Sequence, residues 1–124
     1  MFDFLMLISA IVLIIIDAIY LNLIKGYFEK QIQFIQGTKP QIKYMGVVAC
    51  YLFLIIGLNY FIIKPKKSVS DAFLFGLVVY GVYETTNYAL FNKWSIYTVI
   101  MDTLWGGILF ALTTYIVNKI RVMV

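Results

Sequence analysis

Apolar residues run along this chain in four long blocks. The pattern is neither the strict alternation of a half-buried strand nor the narrow stripe of a water-facing helix. The blocks cover residues 4–24, 44–63, 71–91 and 96–118. A helix needs about 20 mainly apolar residues to cross the hydrocarbon of a bilayer, and each block meets that length. Open strands cannot cross lipid, because their backbone groups go unpaired, and blocks of this length are too long for barrel strands. The pattern predicts an all-α, integral membrane four-helix bundle occupying residues 1–124 as a single domain.

The connections refine this picture. Lys64, Pro65, Lys66 and Lys67 make a tight turn, after which Ser68 or Ser70 can cap the third helix. Asn92, Lys93, Trp94 and Ser95 join the third and fourth spans, with Trp94 suited to the headgroup boundary. Short links of this kind make consecutive helices antiparallel. Lys25 to Lys43 is the one longer connection. Within it Phe28, Ile32 and Ile35 recur at helical spacing among Glu29, Lys30, Gln31 and Gln33. That segment is expected to be a short interfacial helix between the first two spans, or an extension of the first, ended by Gly37, Thr38, Lys39 and Pro40. Small residues (Gly46 with Cys50, Ala72 with Gly76, Gly106 with Gly107) are expected to let helix backbones approach closely.

Composition agrees and narrows the function. Apolar residues make up 63% of the chain and charged ones 13%, where a soluble domain carries about a quarter charged. The net charge of +4 comes from loops and tails, which suits anionic headgroups better than nucleic acid. With no histidine and a single cysteine, Cys50, neither a disulfide framework nor a zinc or haem site is expected, and no cofactor is implied. No Lys or Arg precedes the first apolar block, which therefore reads as a retained span, not a cleaved signal. Basic residues divide evenly between the two sides, and their denser clusters put both termini in the cytoplasm by a narrow margin.

Candidate chemistry rests on three acids inside the spans: Asp17, Glu84 and Asp102, with no Lys, Arg or His in any span to balance them. Charges in hydrocarbon are costly, so these side chains should face the bundle interior. Counting from the span centres at about 1.5 Å per residue puts all three on one half of the membrane, roughly 4 to 9 Å from the midplane. Polar neighbours share their faces: Tyr80, Asn87 and Tyr88 around Glu84, Tyr20 after Asp17, Thr98 and Trp105 beside Asp102, and Tyr51 and Asn59 from the second span; Tyr83 and Thr86, next to Glu84 in sequence, are further candidate site residues. Three like charges cannot share a dry pocket, so a proton or a bound cation has to supply the missing charge. The alternative is a neutral hydrogen-bonded network that only fixes helix packing.

The same residues carry a family resemblance. Tyr83, Glu84, Thr85, Thr86 and Asn87 resemble the third-span signature of the membrane proteins grouped as domain of unknown function family 2177: a tyrosine, an acid, a variable residue, then Thr-Asn. Asp102, Trp105 and Gly106 resemble its Asp-x-x-Trp-Gly element, Trp94 the tryptophan between the two, and Asp17, Tyr20 and Leu21 its first-span Asp-x-x-Trp-Leu element. Glu84 stands where Asp is usual and Tyr20 where Trp is usual. The resemblance implies four spans and a membrane location, and it implies no reaction.

Three functions fit this reading. The first is binding or transport of a proton, cation or small cationic molecule at Asp17, Glu84 and Asp102, with a homodimer expected because four spans are few for a complete pathway. The second is an accessory or structural subunit whose acids organise packing. The third is a membrane enzyme acting on a lipid or isoprenoid with an acid pair as general acid and base.

Overall fold

A computed structural model of the chain describes residues 3–37 and 43–123. Its elements are α1 (Phe4–Gln36), α2 (Tyr44–Leu58), α3 (Val69–Leu90) and α4 (Ile96–Met123), with one π-helical turn at Asn59–Ile63 continuing α2. Among the described residues there is no strand. Three helices are long and apolar enough to cross a membrane: Phe4–Gln36, Tyr44–Ile63 and Ile96–Met123. The 22-residue α3 is long enough, but its Tyr, Thr, Asn and acidic positions leave it outside that set.

Capping follows from local sequence. Asp3 accepts from the Met6 N–H at 2.9 Å and starts α1. Ser68, not Ser70, caps α3 by accepting from the Asp71 N–H at 3.0 Å, and Asp71 adds a favourable charge in the first turn. In the turn before it, Lys66 takes a left-handed conformation with φ 57°. At the far end of α4, Arg121 donates to the carbonyl of Ile63 at 2.9 Å, which also accepts from the Lys66 N–H at 3.1 Å, so the end of α4 is tied to the turn that follows α2.

The segment between the first two spans is not a separate helix. Residues 25–36 continue α1 unbroken, which makes it 33 residues long. At about 1.5 Å per residue it measures roughly 50 Å, well beyond a hydrocarbon core of about 30 Å. Gly37 ends it in the left-handed conformation, φ 80°, its N–H donating to the Gln33 carbonyl at 2.7 Å. The other expected breakers, Thr38, Lys39 and Pro40, lie outside the described residues. The extension does not simply rest on a surface. Gln31 donates to the Lys93 carbonyl at 3.0 Å and accepts from Thr98 Oγ1 at 2.9 Å, while the Tyr27 and Thr98 hydroxyls share a hydrogen bond at 2.9 Å. These bonds tie the end of α1 to the α3–α4 turn.

Paired residues fix the directions. Phe73 meets Gly107 and Gly81 meets Thr103, so α3 and α4 are antiparallel. Tyr20 meets Asp102 and Tyr27 meets Thr98, so α1 runs against α4; Asp17 meets Tyr51 and Ser9 meets Asn59, so α1 also runs against α2. The closest packing is between α3 and α4, where Ala72, Gly76, Gly106 and Gly107 are buried. Gly46 and Cys50 do not share this role. Both are exposed on α2, and nothing lies near the position where a Cβ on Gly46 would stand. Large apolar side chains face outward along every helix, among them Ile15, Phe53, Val82 and Leu104. In water that surface would be unfavourable, whereas in lipid it is the natural exterior.

Candidate functional site

All three acids point inward: Glu84 is 0% exposed and Asp17 and Asp102 are each 7% exposed. Their surroundings differ. Asp17, on α1, accepts from two donors, Tyr51 Oη at 2.5 Å from α2 and Trp105 Nε1 at 2.9 Å from α4. Three helices thus meet at one carboxyl whose two oxygens are both partnered. Asp102, on α4, accepts from Tyr20 Oη at 3.1 Å. Tyr20 and Trp105 stack face to face, centroids 4.2 Å apart and 4° from parallel, so the partners of Asp17 and Asp102 form one aromatic wall between the two acids.

Glu84, on α3, is the exception. Its Oε1 accepts from Trp94 Nε1 at 2.8 Å. Its Oε2 is buried with no hydrogen-bond partner, and the Asp102 carboxyl lies within hydrogen-bonding reach of the same side chain. Two carboxylates in contact in a dry interior repel strongly, and neither can donate to the other unless a proton lies between them.

The three acids form a chain of contacts, not one pocket. Asp17 reaches Asp102 through Trp105 and Tyr20, and Asp102 meets Glu84 directly. Among the described residues no three His, Cys, Asp or Glu side chains gather closely enough to hold a metal ion. The acids do not converge as a trio because the stacked rings fill the space between Asp17 and the other two.

The remaining expected residues fall into three groups. Tyr80 and Trp105 belong to the site: Tyr80 packs over Gly106 and lines, with Asp102, a cleft of about 430 Å³ between α2 and α3, whose other walls are Cys50, Leu54, Val79 and Tyr83. Tyr83 is largely exposed and sits where this cleft nears a second one, of about 240 Å³, lined by Asn87 and Trp94 with Phe28, Ile32, Ile35, Gln36 and Phe91. Thr86 faces outward and spends its hydroxyl on the Val82 carbonyl at 2.6 Å, so it takes no part. Asn59 is buried elsewhere. It donates to Ser9 Oγ at 2.7 Å and to the Ile55 carbonyl at 2.8 Å, at a level of α1 two turns from Asp17, or about 12 Å along the axis.

Trp94 was expected at the headgroup boundary. It is 7% exposed, clasped by Phe28 and Phe91, and its indole N–H is the donor to Glu84. Sequence offered one signal for this, since a buried carboxyl needs a donor and Trp94 is one of only two indoles in the chain. The clamp of Gln31 and Tyr27 on Thr98 had none, because contacts separated by more than sixty residues leave no trace in local spacing.

Comparison with known proteins adds the family. The family described as predicted membrane protein (DUF2177) matches residues 3–118, which hold every acid and aromatic residue of this network. Neither the curated proteins nor the solved structures gave a match. A match over nearly the whole length, on a chain with three long apolar helices, identifies it as an integral membrane protein belonging to the DUF2177 family.

Proposed function

We propose that the protein binds, and in that form carries, a proton or a small cation at the Glu84–Asp102 carboxyl pair, with α3 serving as the fourth membrane span. The observation that carries this reading is Glu84 Oε2, buried and without a donor beside a second carboxyl. Packing alone does not call for such a group. A carboxyl kept for structure is expected to be fully partnered, as Asp17 is by Tyr51 and Trp105. Nor can a neighbouring base balance the pair, since no Lys, Arg or His lies within the four apolar blocks. Asp17 is therefore assigned a packing role, and the accessory reading applies to it alone.

Infrared difference spectroscopy of the protein in lipid tests this directly. Titrating pH, or adding sodium or tetramethylammonium, should change the intensity of a protonated-carboxyl carbonyl band, and Glu84→Gln and Asp102→Asn should each remove that change. Asp17→Asn should leave it intact. A band that does not respond to protons or cations, or that survives both substitutions at the pair, would falsify the proposal.

A further inference from the structure

The cleft between α2 and α3 says what kind of cation the pair would take and from where. α2 packs on α1 and stands away from α3, leaving a space of about 430 Å³ with Asp102 in its lining. That volume is in the range of sites for organic ligands and far larger than a single ion needs. Its walls are mostly apolar or aromatic: Cys50 and Leu54 on one side, Val79, Tyr80 and Tyr83 on the other. Phe53, Val78 and Val82, each next in sequence to a lining residue, are 75%, 54% and 62% exposed and face the same surroundings as the rest of the outer surface. In a bilayer those surroundings are acyl chains, so the cleft opens sideways into lipid.

We propose that this cleft admits a membrane-dissolved amphiphile carrying an organic ammonium group, its nitrogen at the Asp102–Glu84 pair and its alkyl chain along Leu54 and Val79. The proposal rests on the reading of that pair as a cation site and adds ligand class and route. Three features favour it over an inorganic ion. Calcium and magnesium take six or more oxygen ligands, and no three candidate ligating side chains gather among the described residues. The Tyr80 and Tyr83 rings line the cleft, and aromatic faces attract alkylammonium ions. Finally, Glu84, with its buried unpartnered oxygen, interacts with Asp102, so a cation arriving at Asp102 is drawn by a second carboxyl as well.

The test uses the full chain in lipid nanodiscs and radiolabelled dodecyltrimethylammonium, with tetramethylammonium and dodecanol as competitors. Saturable binding is expected, weakened about tenfold or more by Asp102→Asn and by Leu54→Trp, whose indole fills the cleft without touching the acids. Neither competitor should displace the label at equal concentration, since one lacks the chain and the other the charge. Should tetramethylammonium compete equally, and Asp102→Asn abolish the binding of both, the cation site stands and the lateral amphiphile route is overturned. Equal competition by dodecanol overturns the route as well, by showing that the chain alone binds. If no saturable binding of either cation appears, or Asp102→Asn binds like the wild type, the cation reading falls and this inference with it. The competition series needs no variant, so a misfolded Leu54→Trp protein would not blunt it.

Discussion

Gly76→Ala adds one methyl group to α3 at the place where α4 passes closest. A Cβ on Gly76 would stand 2.1 Å from the Gly106 carbonyl oxygen, 2.8 Å from its carbon and 2.9 Å from Phe110 Cγ. Two of the three atoms are backbone, and Phe110 is fully buried, so no side chain can swing away to make room. The helices must part by roughly 1 Å before the contact becomes ordinary, and dispersion across the interface weakens steeply over such a gap. Overpacking of this sort costs about 1–3 kcal/mol. The true figure should lie at the upper end, because the clash is with backbone and the interface it opens is the closest in the protein.

The same movement reaches the site, since Glu84 sits on α3 two turns beyond Gly76 and Asp102 on α4 one turn before Gly106. Parting the helices lengthens the gap between the carboxyls and weakens their shared claim on a cation. Unfolding in mixed micelles of mild detergent and dodecyl sulfate, followed by helical circular dichroism, gives the stability change. The infrared carboxyl band gives the effect on the pair. Gly81→Ala is the internal control: the nearest atom to its Cβ is Thr103 Cγ2 at 3.5 Å, ordinary contact, so the gain in helix propensity should make it neutral or stabilising by up to about 1 kcal/mol. Equal stability of Gly76→Ala and Gly81→Ala would refute the claim that backbone contact at Gly76 sets the α3–α4 distance.

Two further substitutions separate the site from the scaffold. Trp94→Phe keeps the contacts with Phe28 and Phe91 but removes the donor to Glu84, and should cost about 1–3 kcal/mol in the same unfolding assay while altering the infrared band. Asn59→Leu breaks the bonds to Ser9 and Ile55 and should cost a similar about 1–3 kcal/mol, yet leave cation binding unchanged, because Asn59 lies about two helical turns from the acids.

Much of the fold was legible because lipid enforces a simple rule: a spanning segment is apolar, long and helical. The 44–63 block coincides with α2 and its π turn, and the 96–118 block lies inside α4. What escaped was set by polar residues acting at a distance. The polarity of 25–36 left a separate surface helix and an extension of the first span both open; nothing breaks the helical backbone before Gly37, so it is the extension, and Gln31 holds it to the α3–α4 turn. Within the site, residue type and depth were enough to select Asp17, Glu84, Asp102, Tyr80 and Trp105, because a buried carboxyl needs partners a turn away or across an interface. Asn59 satisfied the same reasoning by type but fails it by level, since the face it shares with Tyr51 extends past the acids to Ser9.

Asp17 and Glu84 carry the same chemical group and are both buried, and the difference between them is a matter of hydrogen-bond accounting. In hydrocarbon there is no water to complete an unfinished set of partners, so evolution can stabilise a carboxyl only by surrounding it with donors. Tyr51 and Trp105 do this for Asp17, one for each oxygen. Glu84 has Trp94 on one oxygen and no donor on the other, with the Asp102 carboxyl near. Had packing been the whole purpose, Gln at position 84 would serve better: its amide keeps an acceptor for Trp94 and offers a donor to Asp102. Glu84→Gln should therefore stabilise the folded protein, or at worst leave it unchanged, in the unfolding assay while abolishing the cation-sensitive infrared band. A variant that is both less stable and still cation-sensitive would mean that the second oxygen of Glu84 is a structural acceptor after all.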